Sequence, residues 1–157
     1  PGPGVGGHCI AVDPWFIVSK TPEEARLIRT AREVNDSKPH WVLRKVQEAV
    51  ARYLEENPGK TAADVTIACY GLTFKPDIDD LRESPALEIA RALGESHPGR
   101  VLAVEPNVTE LPSALKNVEL VDGVHTMAQI SLMLVDHREF TATERPSGAL
   151  VDCRGVW

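Results

Sequence analysis

The sequence predicts an α/β protein in which a long central helical segment is followed by a doubly wound parallel sheet. Two observations lead to this prediction. Between residues 21 and 59, apolar side chains recur with the 3.6-residue period of an amphipathic helix. After residue 64, short apolar runs rich in β-branched residues alternate with helical stretches, which is the pattern of parallel β-α-β units.

The chain opens with a glycine-rich run that leads into a cysteine. Four of the first seven residues are glycine, and Cys9 and Asp13 follow them. Because glycine lacks a Cβ atom, such a backbone turns sharply and can approach a ligand closely. A thiol beside open N–H donors can act as a nucleophile whose tetrahedral adduct those donors hold. The alternative is a turn before a buried cysteine, since free cysteine is often buried.

The same run contains the pattern G-x-G-x-x-G, formed by Gly2, Gly4 and Gly7. This pattern indicates a dinucleotide site only where it follows a strand and opens a helix. No strand is predicted before it, and the next stretch contains a proline. We therefore reject the dinucleotide interpretation of these glycines.

Helix-start signals divide the first third of the chain. Asp13 before a proline predicts an N-cap and a short helical turn over residues 15–19. Thr21, with Glu24 three residues later, predicts a capping box at the start of the next helix. Pro39 predicts a kink or restart, with Ser37 available as a second cap.

The amphipathic pattern then continues until Asn57, Pro58 and Gly59 end it. So much helix before any sheet exceeds what one small domain needs to cover itself. The segment either packs on its own domain or forms a spine that joins two domains or two subunits. We favour the spine.

Short apolar runs predict the strands of the sheet. They cover residues 65–72, 100–104, 118–121, 130–135 and 150–152. Ser84 before a proline opens a helix that runs through about Leu93, and residues 124–129 predict a helical turn. Cys69 lies inside the first run, so we expect it in the core and not in chemistry.

Ligands of parallel α/β sheets bind outside the carboxyl ends of the strands. This rule points to the loop over residues 73–83, after the first strand, and to Arg154, after the last. Phe74, Lys75 and Arg82 in that loop could stack on a base and pair with phosphates. The alternative for these charged side chains is a solvated surface.

Composition narrows the class of protein. A net charge of −6 argues against nucleic-acid binding, and neither a membrane-length apolar run nor a signal peptide is visible. Three widely spaced cysteines without a C-x-x-C pair argue against a disulfide framework or a zinc cluster and predict a cytoplasmic setting. The histidines have no ligand spacing, so we expect no metal site.

Five motifs occur in an order that spans the chain. They are residues 4–14, the run Ala31-Arg32-Glu33-Val34-Asn35-Asp36, and residues 71–85, 135–140 and 151–155. Together they resemble the UDP-glucose/GDP-mannose dehydrogenase family, and within it the branch that acts on UDP-N-acetyl-D-mannosamine. The ordered combination is far more specific than any one motif.

The resemblance implies a Rossmann-like UDP-binding domain and an enzyme that oxidises the sugar C6 alcohol to a carboxylate with two NAD in succession. In the family a cysteine thiolate, here Cys9, adds to the intermediate aldehyde, and the second hydride transfer leaves a thioester that water hydrolyses. The chemistry is sound because an aldehyde loses hydride readily only after a nucleophile has made it tetrahedral. Asp13 would position the water or take a proton.

The resemblance also implies roles for other residues and a division of the chain. It assigns UDP-sugar binding to Gly6, Gly7, Phe74 and Lys75, and NAD contacts to Arg82 and Arg154. It divides the chain into a catalytic loop with a short helix (1–20), central dimerisation helices (21–59) and a UDP-sugar-binding domain (60–157), and it implies a homodimer.

In the family an N-terminal NAD-binding domain would precede Pro1. We therefore expect this chain to be part of a longer protein and to be inactive alone. Two alternatives stay open. One is a non-enzymatic, dimeric module that binds UDP-sugar, and the other is a dehydrogenase for UDP-glucose or UDP-N-acetylglucosamine.

Overall fold

The structure is a computed structural model that describes residues 2–123 and 126–157. The helices are α1 (Asp13–Lys20), α2 (Arg26–Asp36), α3 (Lys38–Glu56), α4 (Pro85–Ser96) and α5 (Arg138–Thr141), with a 3-10 turn at Ala62–Asp64. The strands are β1 (Ile67–Tyr70), β2 (Val101–Val104), β3 (Val118–Val121), β4 (Ile130–Met133) and β5 (Ala149–Asp152). Within the described ranges, no helix is both long enough and apolar enough to cross a membrane.

The described strands form one parallel sheet in the order β3-β2-β1-β4-β5. The predicted α/β fold with a parallel, Rossmann-like sheet is confirmed. β1 lies at the centre and pairs with both β2 and β4, so the strand order reverses beside it. The loops that leave β1, β2 and β4 therefore meet at one edge of the sheet.

The core follows from the alternation of side chains along β1. Ile67 and Cys69 face one side, where α3 and α4 pack through residues such as Val46. Tyr70 faces the other side and meets the Phe140 ring of α5 edge-on, with ring centroids 5.4 Å apart. Burial on both faces explains why the strands read as continuous apolar runs in the sequence.

Two predicted helix caps are wrong. α1 begins at Asp13 itself, and Val12 occupies the N-cap position. Thr21 does not cap the next helix but ends α1, where its hydroxyl donates to the Ile17 carbonyl at 3.2 Å. The same carbonyl also accepts the Thr21 backbone N–H at 2.9 Å, so both bonds close the last turn of α1. α2 then starts only at Arg26.

The predicted restart at Pro39 is confirmed, because Pro39 lies in the first turn of α3. Ser37 occupies the predicted N-cap position of α3, but its side chain makes no capping bond, since its hydroxyl donates backwards to the Val34 carbonyl at 2.7 Å. α3 packs on the sheet through its buried valines, whereas α2 leaves Leu27 and Val34 exposed. α3 therefore covers the sheet, whereas α2 keeps part of its apolar surface exposed to solvent.

The predicted helical turn over residues 124–129 begins at Val124 and His125, which lie outside the described residues. The remainder of that stretch is not helical. The Gln129 N–H donates to the Thr66 carbonyl at 3.1 Å, and the Gln129 side-chain oxygen accepts the Thr66 N–H at 2.7 Å. These bonds extend the pairing of β1 with β4 backwards and exclude a helix there.

Candidate active site

Four segments meet around a cavity of about 180 Å³ at the carboxyl edge of the sheet. They are the glycine-rich run before α1, the loop between β1 and α4, and the residues just after β4 and β5. The lining residues are Pro3, Gly4, Val5, Thr73, Phe74, Lys75, Pro76, Pro85, Ala86, Leu134, Val135 and Arg154. Segments that are distant in the sequence thus bring an aromatic ring and two cationic side chains to one cavity.

Gly6 and Gly7 lie against the loop between β1 and α4. A Cβ atom on Gly7 would lie 2.9 Å from the Phe74 ring, and one on Gly6 would overlap the Glu83 carbonyl. Gly7 also has a φ of +93°, which residues with a side chain rarely adopt. Its N–H donates to the Glu83 carbonyl at 3.3 Å, so it is not open to a ligand. These glycines permit the close contact of the cysteine loop with the Phe74 loop.

α2 holds the glycine-rich run from its other side. The Asn35 side chain pairs with the Val5 backbone: Nδ2 donates to the carbonyl at 3.1 Å, and Oδ1 accepts the N–H at 2.8 Å. The buried Arg32 binds Asp36 at 2.6 Å and donates to the same Val5 carbonyl at 3.4 Å. Sequence reasoning named Arg32 and Asn35 only as part of the run over residues 31–36 and gave them no partner. Buried polar groups need one, and that was the available signal.

Cys9 lies exposed in the turn that leads into α1. Its carbonyl accepts the N–H groups of Val12 at 3.1 Å and of Asp13 at 2.8 Å. The turn therefore places the thiol directly before the helix that Asp13 opens, and both side chains are exposed. This exposure contradicts the alternative in which Cys9 is a buried core cysteine.

The other two cysteines differ from Cys9 in burial. Cys69 is fully buried in β1, as predicted, and burial raises the pKa of its thiol to about 12. Burial, with a smaller contribution from the Asp152 charge, raises the pKa of Cys153 to about 11. Since the thiolate is the nucleophile, neither thiol suits nucleophilic chemistry.

Arg82 lies on the outer part of the β1–α4 loop and is ion-paired with Asp80 at 2.6 Å. Hydrogen bonds from Arg82 lower the pKa of Asp80 to about 2. In turn the hydrogen bond and charge of Asp80 raise the pKa of Arg82, with a smaller contribution from Cys9. Arg82 does not line the cavity of about 180 Å³.

Arg154 lines the cavity from the end of β5. Its guanidinium lies 2.8 Å from Oδ1 of Asp136. Asp152 accepts the backbone N–H groups of residues 154–157 at 2.7 to 3.0 Å. Burial disfavours the Asp152 carboxylate, but these bonds outweigh it and lower its pKa. Asp152 thus folds the last residues back and sets the position of Arg154.

A buried polar cluster at the same edge was missed by sequence reasoning. His137, fully buried after β4, lies 3.1 Å through Nε2 from Oε2 of Glu105, which follows β2. Glu105 also accepts the N–H groups of Leu72 at 2.6 Å and Asn107 at 2.9 Å. Burial disfavours the Glu105 charge, yet the bonds from His137, Leu72 and Asn107 lower its pKa. Glu105 directly follows β2, and His137 lies in the short segment between β4 and α5. These positions at the carboxyl ends of strands were the available signal.

Three residues, the buried His137 among them, could in principle hold a metal ion, but they form a poor metal site. Asp77, His137 and Glu139 have ligand atoms within 4.8 Å of one another. However, Nδ1 of His137 accepts the Asp77 N–H at 2.9 Å, and Nε2 faces Glu105. The Asp77 carboxylate accepts the Arg138 N–H at 3.0 Å. The ring nitrogens of His137 and the Asp77 carboxylate thus have partners already. Only Glu139 offers a buried oxygen without one, so we assign no metal to this group.

The helices before the sheet expose a set of large apolar side chains. Those above half exposure on α1 and α2 are Phe16 at 66%, Leu27 at 81% and Val34 at 60%. A wider cavity of about 690 Å³ lies beside them, between α1, α2 and α4. Ala11 and Val12, which follow Cys9 in the turn before α1, line this wider cavity.

Comparison with protein families gives two matches. The UDP binding domain of the UDP-glucose/GDP-mannose dehydrogenase family matches residues 68–157, and the central domain of the same family matches residues 1–37. The first match begins within β1 and includes the cavity-lining loop. The second includes Cys9, Asp13 and the Asn35 contact.

Several characterised proteins are similar over the whole chain. UDP-N-acetyl-D-mannosamine dehydrogenase of Salmonella typhi is 54% identical, and this chain covers 39% of it. NDP-N-acetyl-D-galactosaminuronic acid dehydrogenase of Ralstonia solanacearum is 53% identical, with 36% of it covered. The chain therefore spans about two fifths of the length of these relatives.

Solved structures agree with this picture. A UDP-N-acetyl-mannosamine dehydrogenase from S. aureus superposes with a TM-score of 0.73 at 36% identity, over 99% of this chain and 36% of the other. An NDP-N-acetyl-D-galactosaminuronic acid dehydrogenase from Methanosarcina mazei Go1 has a TM-score of 0.78 at 24% identity, over 100% of this chain and 36% of the other. The second likeness concerns the fold alone.

Proposed function

This chain belongs to the UDP-glucose/GDP-mannose dehydrogenase family, and we propose that it supplies the cysteine loop and the UDP-sugar-binding domain of an NAD-dependent UDP-N-acetyl-D-mannosamine 6-dehydrogenase. The observation that supports this most is the contact of the glycine-rich run that leads to Cys9 with the Phe74–Lys75 loop. Nucleophile and nucleotide-binding groups are thereby held on one body. In this proposal residues 1–20 form the catalytic loop with its short helix, residues 21–59 the dimerisation helices, and residues 60–157 the UDP-sugar-binding domain.

Phe74 and Lys75 bind the nucleotide part of the substrate. Lys75 is exposed, with its ammonium 5.7 Å from the centroid of the Phe74 ring, so ring and cation act as a pair. A mobile ammonium suits a diphosphate as a point charge. Gly6 and Gly7 bring the reacting loop close to this pair and leave room for the sugar.

Cys9 is the nucleophile. Its sulfur bonds to C6 of the sugar aldehyde, makes that carbon tetrahedral and carries the acyl group that water later releases. Asp13, at the start of α1, positions this water or takes its proton. The exposure of the Cys9 thiol leaves its sulfur accessible for both steps.

NAD is the cofactor that the family implies. The G-x-G-x-x-G glycines do not form its cradle, because a Cβ on Gly4 would meet Pro85 at 3.1 Å and one on Gly7 would meet Phe74. Among the described residues, the guanidinium groups of Arg82 and Arg154 suit its phosphates. When bound, NAD accepts the hydride from C6. Because the chain spans only about two fifths of the length of its relatives, we expect the purified 157 residues alone to produce no NADH from UDP-sugar and NAD.

The full proposal is tested with the complete protein, including any residues that flank this chain. UDP-N-acetylmannosamine with NAD should yield two NADH per sugar, and UDP-glucose and UDP-N-acetylglucosamine should yield less. Faster turnover of either of these would favour the alternative substrates. Binding of UDP-sugar without any NADH would favour the non-enzymatic module and contradict a dehydrogenase.

Cysteine substitutions test the mechanism. Cys9→Ala should still bind UDP-sugar but lose the four-electron oxidation, whereas Cys69→Ala should lose only stability. Two NADH per sugar from soluble Cys9→Ala protein would refute the role of Cys9.

The unpaired thiols also support a cytoplasmic location, because a reducing compartment keeps cysteines free.

The partner of the apolar surface is a second copy of the protein. Leu27 and Val34 on α2 are exposed, and the adjoining α3 exposes Trp41 at 42%. Exposed apolar patches on helices mark interfaces. We assign homodimerisation to the segment over residues 21–59.

A further inference from the structure

The loop that carries Phe74 and Lys75 is held on both sides by one buried side chain. After the pair, the Asp77 N–H donates to Nδ1 of His137 at 2.9 Å. Before the pair, the Thr73 hydroxyl lies 3.4 Å from Nε2 of the same ring and donates its proton to the Lys75 carbonyl at 2.9 Å. His137 therefore spans the base of the loop.

The bond at Nδ1 holds a strained point of the backbone. Asp77 has a φ of +60°, a conformation that residues other than glycine adopt seldom. Its N–H meets the ring of His137, and its carboxylate accepts the Arg138 N–H at 3.0 Å. Strained residues persist where the surroundings over-determine them. Both restraints come from the segment directly after β4, so they tie the loop to the sheet.

The contacts fix the protonation of the ring. Nδ1 accepts the Asp77 N–H and lies 3.1 Å from the Asn107 amide nitrogen, so this atom carries the lone pair. The proton is then on Nε2, where the Glu105 carboxylate accepts it at 3.1 Å. Glu105 thus orients the ring so that its acceptor faces the loop.

We propose that His137 is a positioning residue for UDP-sugar binding, and that its Nδ1 acceptor, held in place by Glu105, sets the conformation in which Phe74 and Lys75 meet the nucleotide. The inference rests on the proposed function of these two residues. His137 is fully buried and does not line the cavity beside Phe74 and Lys75, so it acts through the loop and not by contact with the substrate.

A matched pair of substitutions separates the acceptor from simple packing. The ring also packs edge-on against Phe140, with centroids 5.5 Å apart. A smaller side chain at this position would therefore destabilise the protein by loss of packing alone. In His137→Asn the side-chain oxygen replaces Nδ1 and keeps the bond to Asp77, but volume and the bond to Glu105 are lost. In His137→Gln the amide nitrogen replaces Nε2 and keeps Glu105, but the acceptor for Asp77 is lost. Gln is the larger of the two, so packing alone predicts that it is the better substitute.

The experiment measures affinity for UDP by titration calorimetry on the complete protein, with KM and kcat for the UDP-sugar beside it. We expect His137→Gln to bind UDP about tenfold more weakly than wild type, the size of one lost backbone hydrogen bond. KM should rise by a similar factor, with kcat changed less. His137→Asn should bind more tightly than His137→Gln although it unfolds at a lower temperature.

The outcomes are distinct. Wild-type affinity in His137→Gln, or weaker binding in His137→Asn than in His137→Gln, overturns the inference while the proposed function stands. Absence of UDP binding by the wild-type protein overturns the proposed function itself, and the inference with it. Failure of both variants to fold would show that His137 is needed for stability first, and would overturn a role confined to the loop.

Discussion

Gly7→Ala should be far more damaging than the same change at Gly59, although the two glycines have nearly the same φ. Their φ values are +93° and +94°. A Cβ atom at Gly59 meets nothing within 4 Å, whereas one at Gly7 lies 2.9 Å and 3.0 Å from two atoms of the Phe74 ring. Gly59 is therefore a control for the backbone cost alone.

The magnitudes follow from these contacts. Alanine at positive φ costs about 1–2 kcal/mol, and the reduced entropy of the unfolded chain returns about 0.4–1 kcal/mol. Gly59→Ala should thus lower the free energy of unfolding by roughly 1 kcal/mol. Displacing the Phe74 ring adds about 1–3 kcal/mol at Gly7.

Urea unfolding of both variants measures this difference, and UDP titration measures the effect on Phe74. Affinity for UDP should fall in Gly7→Ala and stay unchanged in Gly59→Ala. The double variant Gly7→Ala, Phe74→Leu should recover part of the stability, because the shorter side chain yields to the new methyl group. Equal destabilisation by the two single variants would refute the packing argument.

Three further predictions concern the supports of the site. Asn35→Ala removes both side-chain bonds to Val5, so we expect the free energy of unfolding in urea to fall by about 1–2 kcal/mol. Turnover by the complete protein should also fall, and unchanged turnover would contradict the role of Asn35. The folded pKa of Asp152 is depressed, so its contribution is present above its unfolded pKa and lost as pH falls through the folded value. Asp152→Asn should therefore be less stable than wild type at pH 7, with a difference that shrinks below about pH 4; a constant difference would contradict this. Leu27→Glu should shift the protein from dimer to monomer in sedimentation, whereas a dimer that persists would place the interface elsewhere.

Several features followed from local patterns in the sequence. The strands were found because burial on both faces leaves continuous apolar runs, and α4 because Ser84 and a proline mark its start; Ser84 does accept the Leu87 N–H at 3.3 Å. Cys69 was correctly predicted to lie in the core because it stands inside a continuous apolar run. The Thr21 and Ser37 caps failed because a hydroxyl can donate to a helix that ends as well as accept from one that starts.

The sequence alone determined the fold class, the order of elements and the candidate segments, because these depend on periodicity and turn chemistry within a few residues. Only the tertiary structure showed that His137 meets Glu105, 32 residues away, and that Asn35 meets Val5, 30 residues away. Such contacts arise when β1, β2 and β4 pair and when α2 folds back on the glycine-rich run. Their geometry depends on strand order and helix packing, and no local pattern in the chain encodes either one.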